Sequence, residues 1–221
     1  MSGTRAVGLV LAAGAGTRYG MPKALARTDA GTSWLELACQ ALVGGGCGEV
    51  VVVLGARADE AEELVPAHAR LVVAREWRSG IAASLRTGLA AADGTGAGVA
   101  VVSLVDLPGL RPNAVRRVMD SVPQADAHHA LARATYDGRP GHPVLVGRAH
   151  WQPLGAAVRR DTGAGPYLRA HGTLAVDCTD LGGGDDVDQP DANHSPRQTI
   201  KEGRHAHEPH RTRHRSQPGN G

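Results

Sequence analysis

Three glycines, an arginine and a lysine follow the first apolar run of the chain, where Val7-Gly-Leu-Val-Leu-Ala12 leads into Ala13-Gly14-Ala15-Gly16-Thr17-Arg18-Tyr19-Gly20-Met21-Pro22-Lys23. Gly14, Gly16 and Gly20 take side chains out of the turn, so backbone N–H groups can close around an anion. Arg18 and Lys23 add fixed positive charge beside those donors, which suits the several charges of a triphosphate. Lysine is otherwise nearly absent, Lys201 being the only other one in the chain. A carboxylate complements the loop: the apolar run Val101-Val-Ser-Leu-Val105 delivers Asp106, followed by Leu107-Pro108. Ligands of open α/β sheets bind at the C-terminal edge of the strands, so Asp106 can meet phosphates held by the first loop. Its oxygens suit Mg²⁺, a hard cation that takes carboxylate together with substrate phosphates. A turn aspartate capping the next helix is the competing interpretation.

A loop and a carboxylate act together only if strands place them, and the chain supplies such strands. Strand signals at 6–12, 49–54, 70–74 and 99–104 alternate with helical stretches at 33–43, 58–65, 81–92 and 112–122. Continuous Val/Leu runs, in place of strict alternation, predict strands buried on both faces of a mostly parallel sheet, hence an α/β fold. Pro112 at a helix start and Gly44-Gly45-Gly46 after a helix end fit the usual terminus preferences. The second half is less regular, with strands near 130–135, 143–146 and 173–176 and short helices near 151–158 and 165–171.

At 221 residues the chain suits one domain, since domains usually hold about 100–200 residues. Aromatic residues are 3% of the chain with no Phe, so Ala, Val and Leu must build the core, and stacking platforms for nucleic acid are not expected. Cys39, Cys47 and Cys178 have neither zinc spacing nor an even count for disulfides, which points to a cytoplasmic protein. No apolar segment reaches the ~20 residues that span a bilayer, so no membrane partner is expected. Residues 192–221 hold six basic and two acidic residues and five of the eleven histidines, without apolar periodicity. They are expected to form a disordered His/Arg-rich tail, leaving residues 1–191 as the folded domain.

A dinucleotide-binding loop needs a helix starting inside its glycine run and an acidic residue closing the second strand. Here Pro22 interrupts the loop, and the second strand ends in Leu54-Gly55-Ala56-Arg57. The loop instead resembles the signature of the MobA-like NTP-transferase family, Leu-Ala-(Ala/Gly)-Gly-x-(Ser/Gly)-x-Arg-Met-Gly-x-x-Lys. Leu11, Ala12, Ala13, Gly14, Gly16, Arg18, Gly20 and Lys23 carry the match, and Tyr19 replaces the methionine. Asp106-Leu107-Pro108 is similar to the family's Asp-x-Pro, which holds the metal. Trp77-Arg-Ser-Gly80-Ile-Ala-Ala-Ser84-Leu85-Arg-Thr-Gly88-Leu89 resembles an element that contacts base and ribose, a role the resemblance gives to Gly80 and Ser84. Without the family, Ser84 and Gly88 also read as small residues that allow close helix packing.

Two later segments extend the resemblance. Gly138-Arg-Pro-Gly141-His142-Pro143 is similar to the acceptor-facing loop of the cytidylyl branch, which implies an acceptor-binding role for His142. Asp186-Val187-Asp188-Gln189-Pro190 resembles the closing Asp-Ile-Asp-Thr-Pro motif. Two apart in an extended segment, Asp186 and Asp188 face one side and can both point at one metal. Asp161-Thr-Gly-Ala-Gly165 is similar to Asp-x-Gly-Ala-Arg, but Gly165 stands in place of the arginine, whose contact is then left to Arg159 or Arg160.

The resemblance covers about residues 5–191 and implies a Rossmann-like three-layer sandwich with a mostly parallel sheet, the glycosyltransferase-A-like nucleotidyltransferase fold. It implies an Mg²⁺-dependent enzyme, closest to the molybdenum cofactor cytidylyltransferases. Such an enzyme moves a nucleoside monophosphate from an NTP to the terminal phosphate of molybdopterin and releases pyrophosphate. Arg18, Lys23 and Asp106 are then catalytic, Asp106, Asp186 and Asp188 hold the metal, and a molybdoenzyme or its chaperone is the protein partner. Ala13 and Pro22, as in the cytidylyl branch, favour CTP over GTP. Two alternatives stay open: transfer to another acceptor (sugar phosphate, phospholactate or methylerythritol phosphate), or a non-catalytic nucleotide- or metal-binding protein.

Overall fold

A computed structural model describes residues 4–187. Asp188 of the closing motif and the His/Arg-rich tail lie outside the described residues. Strands β1 (Ala6–Ala12), β2 (Glu49–Leu54), β3 (Ala69–Val73), β4 (Val99–Leu104), β5 (Leu131–Tyr136), β6 (Arg139–Gly147) and β7 (Leu174–Asp177) form one sheet in the order β3-β2-β1-β4-β6-β5-β7. Only β6 runs against its neighbours β4 and β5, and the other strand pairs are parallel. The helices are α1 (Trp34–Gly45), α2 (Ala58–Ala61), α3 (Ile81–Asp93), α4 (Pro112–Asp120), α5 (Trp151–Ala157) and α6 (Gly165–Ala170).

Side chains along a strand alternate between its two faces, and both faces of this sheet are covered. Val10 and Ala12 join Val50, Val52 and Val101 against Leu35 and Leu42 of α1 and Val115 and Val118 of α4. Val7, Leu9 and Leu11 join Val51, Val53 and Ala100 against Leu85 and Leu89 of α3, Leu154 of α5 and Leu168 of α6. The result is a three-layer sandwich with a mixed, mostly parallel sheet. Ser33 starts α1 by accepting the Leu35 N–H at 3.2 Å. The two small residues of α3 divide the roles open to them in the sequence. A Cβ on Gly88 would sit 3.2 Å from Val53 Cγ2 and 3.4 Å from Leu9 Cδ1, so this glycine lets α3 lie close on the sheet.

The second half departs from expectation at one place. The stretch expected to be an acceptor-facing loop belongs largely to β6, which begins at Arg139, and His142 is therefore a strand residue. Asp137 and Gly138, with φ of 49° and 73°, make the tight turn from β5 into β6. Pro140 and Pro143 masked the first half of this strand, expected only over 143–146, because proline within a run argues against a central strand. They are tolerated because β4 pairs with β6 only from Val144 to Gly147, leaving the first half of β6 to pair with β5 alone. That first half lies at the edge where β1 and β4 end.

The three cysteines are buried and unbridged, and burial pushes the Cys39 and Cys47 thiols up to about 12. Among the described residues no helix is long and apolar enough to cross a membrane.

Candidate functional site

The adjacent, parallel ends of β1 and β4 open into a cavity of about 660 Å³. Leu11, Ala12, Ala13, Gly14 and Gly16 line it from β1 and the following loop, and Arg18 and Lys23 line it further along. Gly80 and Ser84 reach it from the start of α3, and Asp106 from the turn after β4. Every residue assigned above to nucleotide binding or catalysis therefore lines one cavity.

No α-helix starts inside the glycine run, which leads only to a one-turn 3-10 helix at Lys23–Leu25. Gly16 has φ +61°, and a Cβ there would collide with the Met21 carbonyl. Gly14 differs, because a Cβ on it would meet no heavy atom within 4 Å. The fold thus leaves space for a methyl at position 14, space that a ligand held against the backbone would occupy. Gly16→Ala is expected to cost stability by about 1–3 kcal/mol through backbone strain. Gly14→Ala should leave the thermal midpoint unchanged and weaken nucleotide binding about tenfold, equivalent to ~1.4 kcal/mol. Thermal denaturation and nucleotide titration of the two variants check both outcomes.

Lys23 Nζ donates to Asp106 Oδ2 at 2.9 Å, with the two side chains 13% and 20% exposed. Asp106 Oδ1 is buried and has no hydrogen-bond partner among the described residues. A buried carboxylate oxygen without a donor is costly, and a divalent cation satisfies it better than a neutral group does. This donor set therefore fits Mg²⁺ or Mn²⁺ at Asp106, with substrate phosphates completing the shell. The closing segment lies along the same turn: the Val187 N–H donates to the Asp106 carbonyl at 3.0 Å, and Gly183 packs on Gly109. Arg117 of α4 secures that segment through Asp180, with Nη2 2.9 Å from Oδ2. Asp186 is exposed and does not line the cavity.

The start of α3 faces the cavity through Ile81 and Ser84, and helix N-termini favour phosphate. Its first turn is held by the Arg160 carbonyl, which accepts the Ala82 N–H at 2.9 Å. A side chain on Gly80 would strike Asp161 and the Arg160 backbone, so this glycine lets the loop before α6 approach α3. Tyr19, Trp77, Arg78 and Asp161 are among the further residues that line the cavity. The Arg78 guanidinium lies 4.5 Å from the Trp77 ring centroid, and Tyr19, where the family has methionine, packs on Trp34 at 5.4 Å. Trp77, Arg78 and Asp161 lay within segments already recognised in the sequence, which was their available signal.

His142 does not line this cavity. With Arg133 it lines a second one of about 200 Å³, which shares Leu11, Ile81 and Leu104 with the first. Burial, and then the charge of Arg133, push the His142 imidazole down from 6.5 to about 4, so it is neutral at pH 7. Its folded-state value lies below the unfolded one. The associated stability is complete above about pH 6.5 and is lost as pH falls towards 4, by on the order of 3 kcal/mol at pH 4. Denaturant melts of the parent and His142→Gln between pH 4 and pH 7 should show the variant losing less over that range.

Arg159 and Arg160 line neither cavity, and Arg159 Nη1 donates to the carbonyls of Ala156 and Val158 at the end of α5. Arg169 Nη1 lies 3.4 Å from where a Gly165 Cβ would stand. Arg133, unnoticed in the sequence, carried one signal: a charge between two alanines in an otherwise largely apolar strand.

Comparison with known proteins supports the fold. The nicotine blue oxidoreductase of Paenarthrobacter nicotinovorans is 37% identical over 193 residues, covering 82% of this chain and 91% of that protein. The crystal structure of Rv0371c from Mycobacterium tuberculosis H37Rv matches with a TM-score of 0.71 at 28% identity, over 86% of this chain and 95% of that one. Its manganese complex matches with a TM-score of 0.64 at 24% identity, over 79% and 88%. A nucleotidyl transferase from Methanothermobacter has the same fold, with a TM-score of 0.71 at 20% identity over 85% and 93%. The profile of the MobA-like NTP transferase domain matches residues 8–175, from the glycine-loop strand into β7. With that span and the cavity residues in place, the chain belongs to the MobA-like NTP transferase family.

Proposed function

We propose that the protein is a divalent-metal-dependent nucleotidyltransferase that moves a nucleoside monophosphate, CMP by preference, from an NTP to a small phosphorylated acceptor. The single observation that carries this proposal is the Lys23–Asp106 pair, with Asp106 Oδ1 unpartnered among the described residues, beside a glycine loop that Gly14 leaves open. The cavity of about 660 Å³ lies within the ~300–1,000 Å³ typical of small-molecule sites. The CMP preference rests on Ala13 and Pro22, which match the cytidylyl branch, and the same resemblance favours molybdopterin as acceptor.

In this assignment the loop backbone, Arg18 and Lys23 bind the triphosphate, and α3 presents its N-terminus to the same ligand. Asp106 would hold Mg²⁺ or Mn²⁺, which supplies charge neutralisation at the phosphates when bound. An acceptor phosphate oxygen attacks the α-phosphorus in line. The new P–O bond forms as the bond to the bridging oxygen of the β-phosphate breaks, and pyrophosphate leaves with that electron pair. No protein nucleophile takes part, and the chain contributes positioning and electrostatic stabilisation.

The test is pyrophosphate release from CTP, GTP and ATP against molybdopterin, a sugar phosphate, phospholactate and methylerythritol phosphate, with Mg²⁺ or Mn²⁺ and with the metal chelated. Metal-dependent release with CTP and one acceptor is the expected result. An oxidoreductase is the alternative, favoured by one observation: the 37% identical relative is a nicotine blue oxidoreductase. Against it stand the absent helix in the glycine run and the lack of a carboxylate closing β2. A thermal-shift series with CTP, GTP, ATP and NAD separates the two, because a ligand that binds only the folded state raises its stability. Stabilisation by NAD alone, with turnover of nicotine blue and no pyrophosphate, would overturn the transferase assignment.

A further inference from the structure

The second cavity has a chemistry of its own. Apart from its boundary with the first, its walls are mainly aliphatic, with Leu85, Val144, Leu154 and Leu168 prominent. Among the described residues that line it, Arg133 is the one carrying a full charge at neutral pH, since burial keeps His142 neutral. Arg133 projects from β5 between Ala132 and Ala134, both completely buried. Its Nη2 donates to the Gly141 carbonyl at 3.3 Å, while its Nε is buried and finds no acceptor among the described residues. Burial and the nearby Arg169 both pull its pKa down, yet a guanidinium stays protonated at any working pH. A buried charged donor without an acceptor, beside aliphatic walls, is an arrangement that a ligand oxygen would relieve.

Size limits what that ligand can be. A cavity of ~150 Å³ lined by aliphatic and aromatic side chains holds a benzene ring. About 200 Å³ leaves room for one ring and a small substituent, and a larger acceptor has to leave its remainder outside.

We propose that this cavity is the acceptor subsite and takes one ring of the acceptor against its aliphatic walls, with an oxyanion of the acceptor accepting from Arg133. The acceptor role rests on the transferase assignment, whereas the ligand class rests on the cavity alone. The shared boundary of Leu11, Ile81 and Leu104 lets such a ring abut a nucleotide in the first cavity. Arg133 thereby selects the acceptor and leaves the nucleotide untouched.

The probes are benzoate, acetate (the anion without the ring) and benzyl alcohol (the ring without the anion), titrated by ligand-observed NMR against the full chain, with CTP and Mg²⁺ titrated separately by calorimetry. Benzoate is expected to bind about tenfold more tightly than either control, and Arg133→Met to lose about that factor, the loss of one charged hydrogen bond. CTP affinity should stay within about twofold in the same variant, because Arg133 does not line the first cavity. Arg133→Lys, which keeps the charge, should retain part of the benzoate affinity and guards against a folding defect in the methionine variant. Benzoate binding no tighter than acetate, unchanged in Arg133→Met, or abolished by saturating CTP would overturn the proposal. Benzoate binding without any CTP binding would leave the ligand class standing and overturn the transferase assignment instead.

Discussion

Asp106→Asn is expected to lower metal-dependent pyrophosphate release by about 10²–10³-fold, the usual cost of removing one well-placed electrostatic contact from a transition state. Asparagine keeps the shape of the side chain and removes its charge, so the Lys23 ion pair and the oxygen suited to a hard cation are lost together. The turn itself should survive, because Val187 bonds to the backbone carbonyl of Asp106 and not to its side chain. The apparent metal affinity should therefore weaken along with kcat while the thermal midpoint moves little. Turnover equal to the parent's would remove Asp106 from the mechanism.

Lys23→Met carries the second large effect, and it falls on binding. Lys23 reaches both the carboxylate and the cavity, so its loss removes one fixed charge from the triphosphate and leaves Asp106 without a partner on either oxygen. An increase in KM for CTP of about tenfold or more is expected, from one charged hydrogen bond worth ~1.5–3 kcal/mol. Lys23→Arg should not restore it, because a planar, longer fork does not reproduce a compact ammonium between carboxylate and phosphate. Combined with Asp106→Asn, the losses should fall short of additive, since the two residues share one interaction. A double-mutant cycle on KM and on the thermal midpoint measures the shortfall, and strict additivity would argue that the pair does not work as a unit.

Much of this site could be read in the sequence, for a physical reason. Parallel strands buried on both faces leave long Val/Leu runs, and the residues that end such runs fall at the ligand edge. That logic located the glycine loop after β1 and Asp106 after β4, and both line the cavity. The side around the second cavity was less legible because β6 is an exception to it. Pro140 and Pro143 conceal the first half of a strand that is tolerated there because β4 stops pairing at Val144, a fact of register that local sequence does not encode. Arg133 went unnoticed for a related reason: β5 pairs with β6 through an irregularity between Arg133 and Thr135. Gly88 and Ser84 look interchangeable as small helix residues, and only the direction each faces separates packing from the cavity.

The reversed direction of β6 bears on how such a site can diversify. The first cavity is walled largely by segments that follow or precede strands and helices of the parallel half. The second is walled in part by the β5–β6 hairpin, whose returning strand β6 runs against the parallel strands and whose turn is Asp137 and Gly138. Lengthening that turn, or exchanging side chains along the half of β6 that β4 leaves unpaired, alters one compartment without rewiring the other. Inheritance can thus treat the hairpin as a replaceable cassette, reshaping the second cavity while the first stays constant.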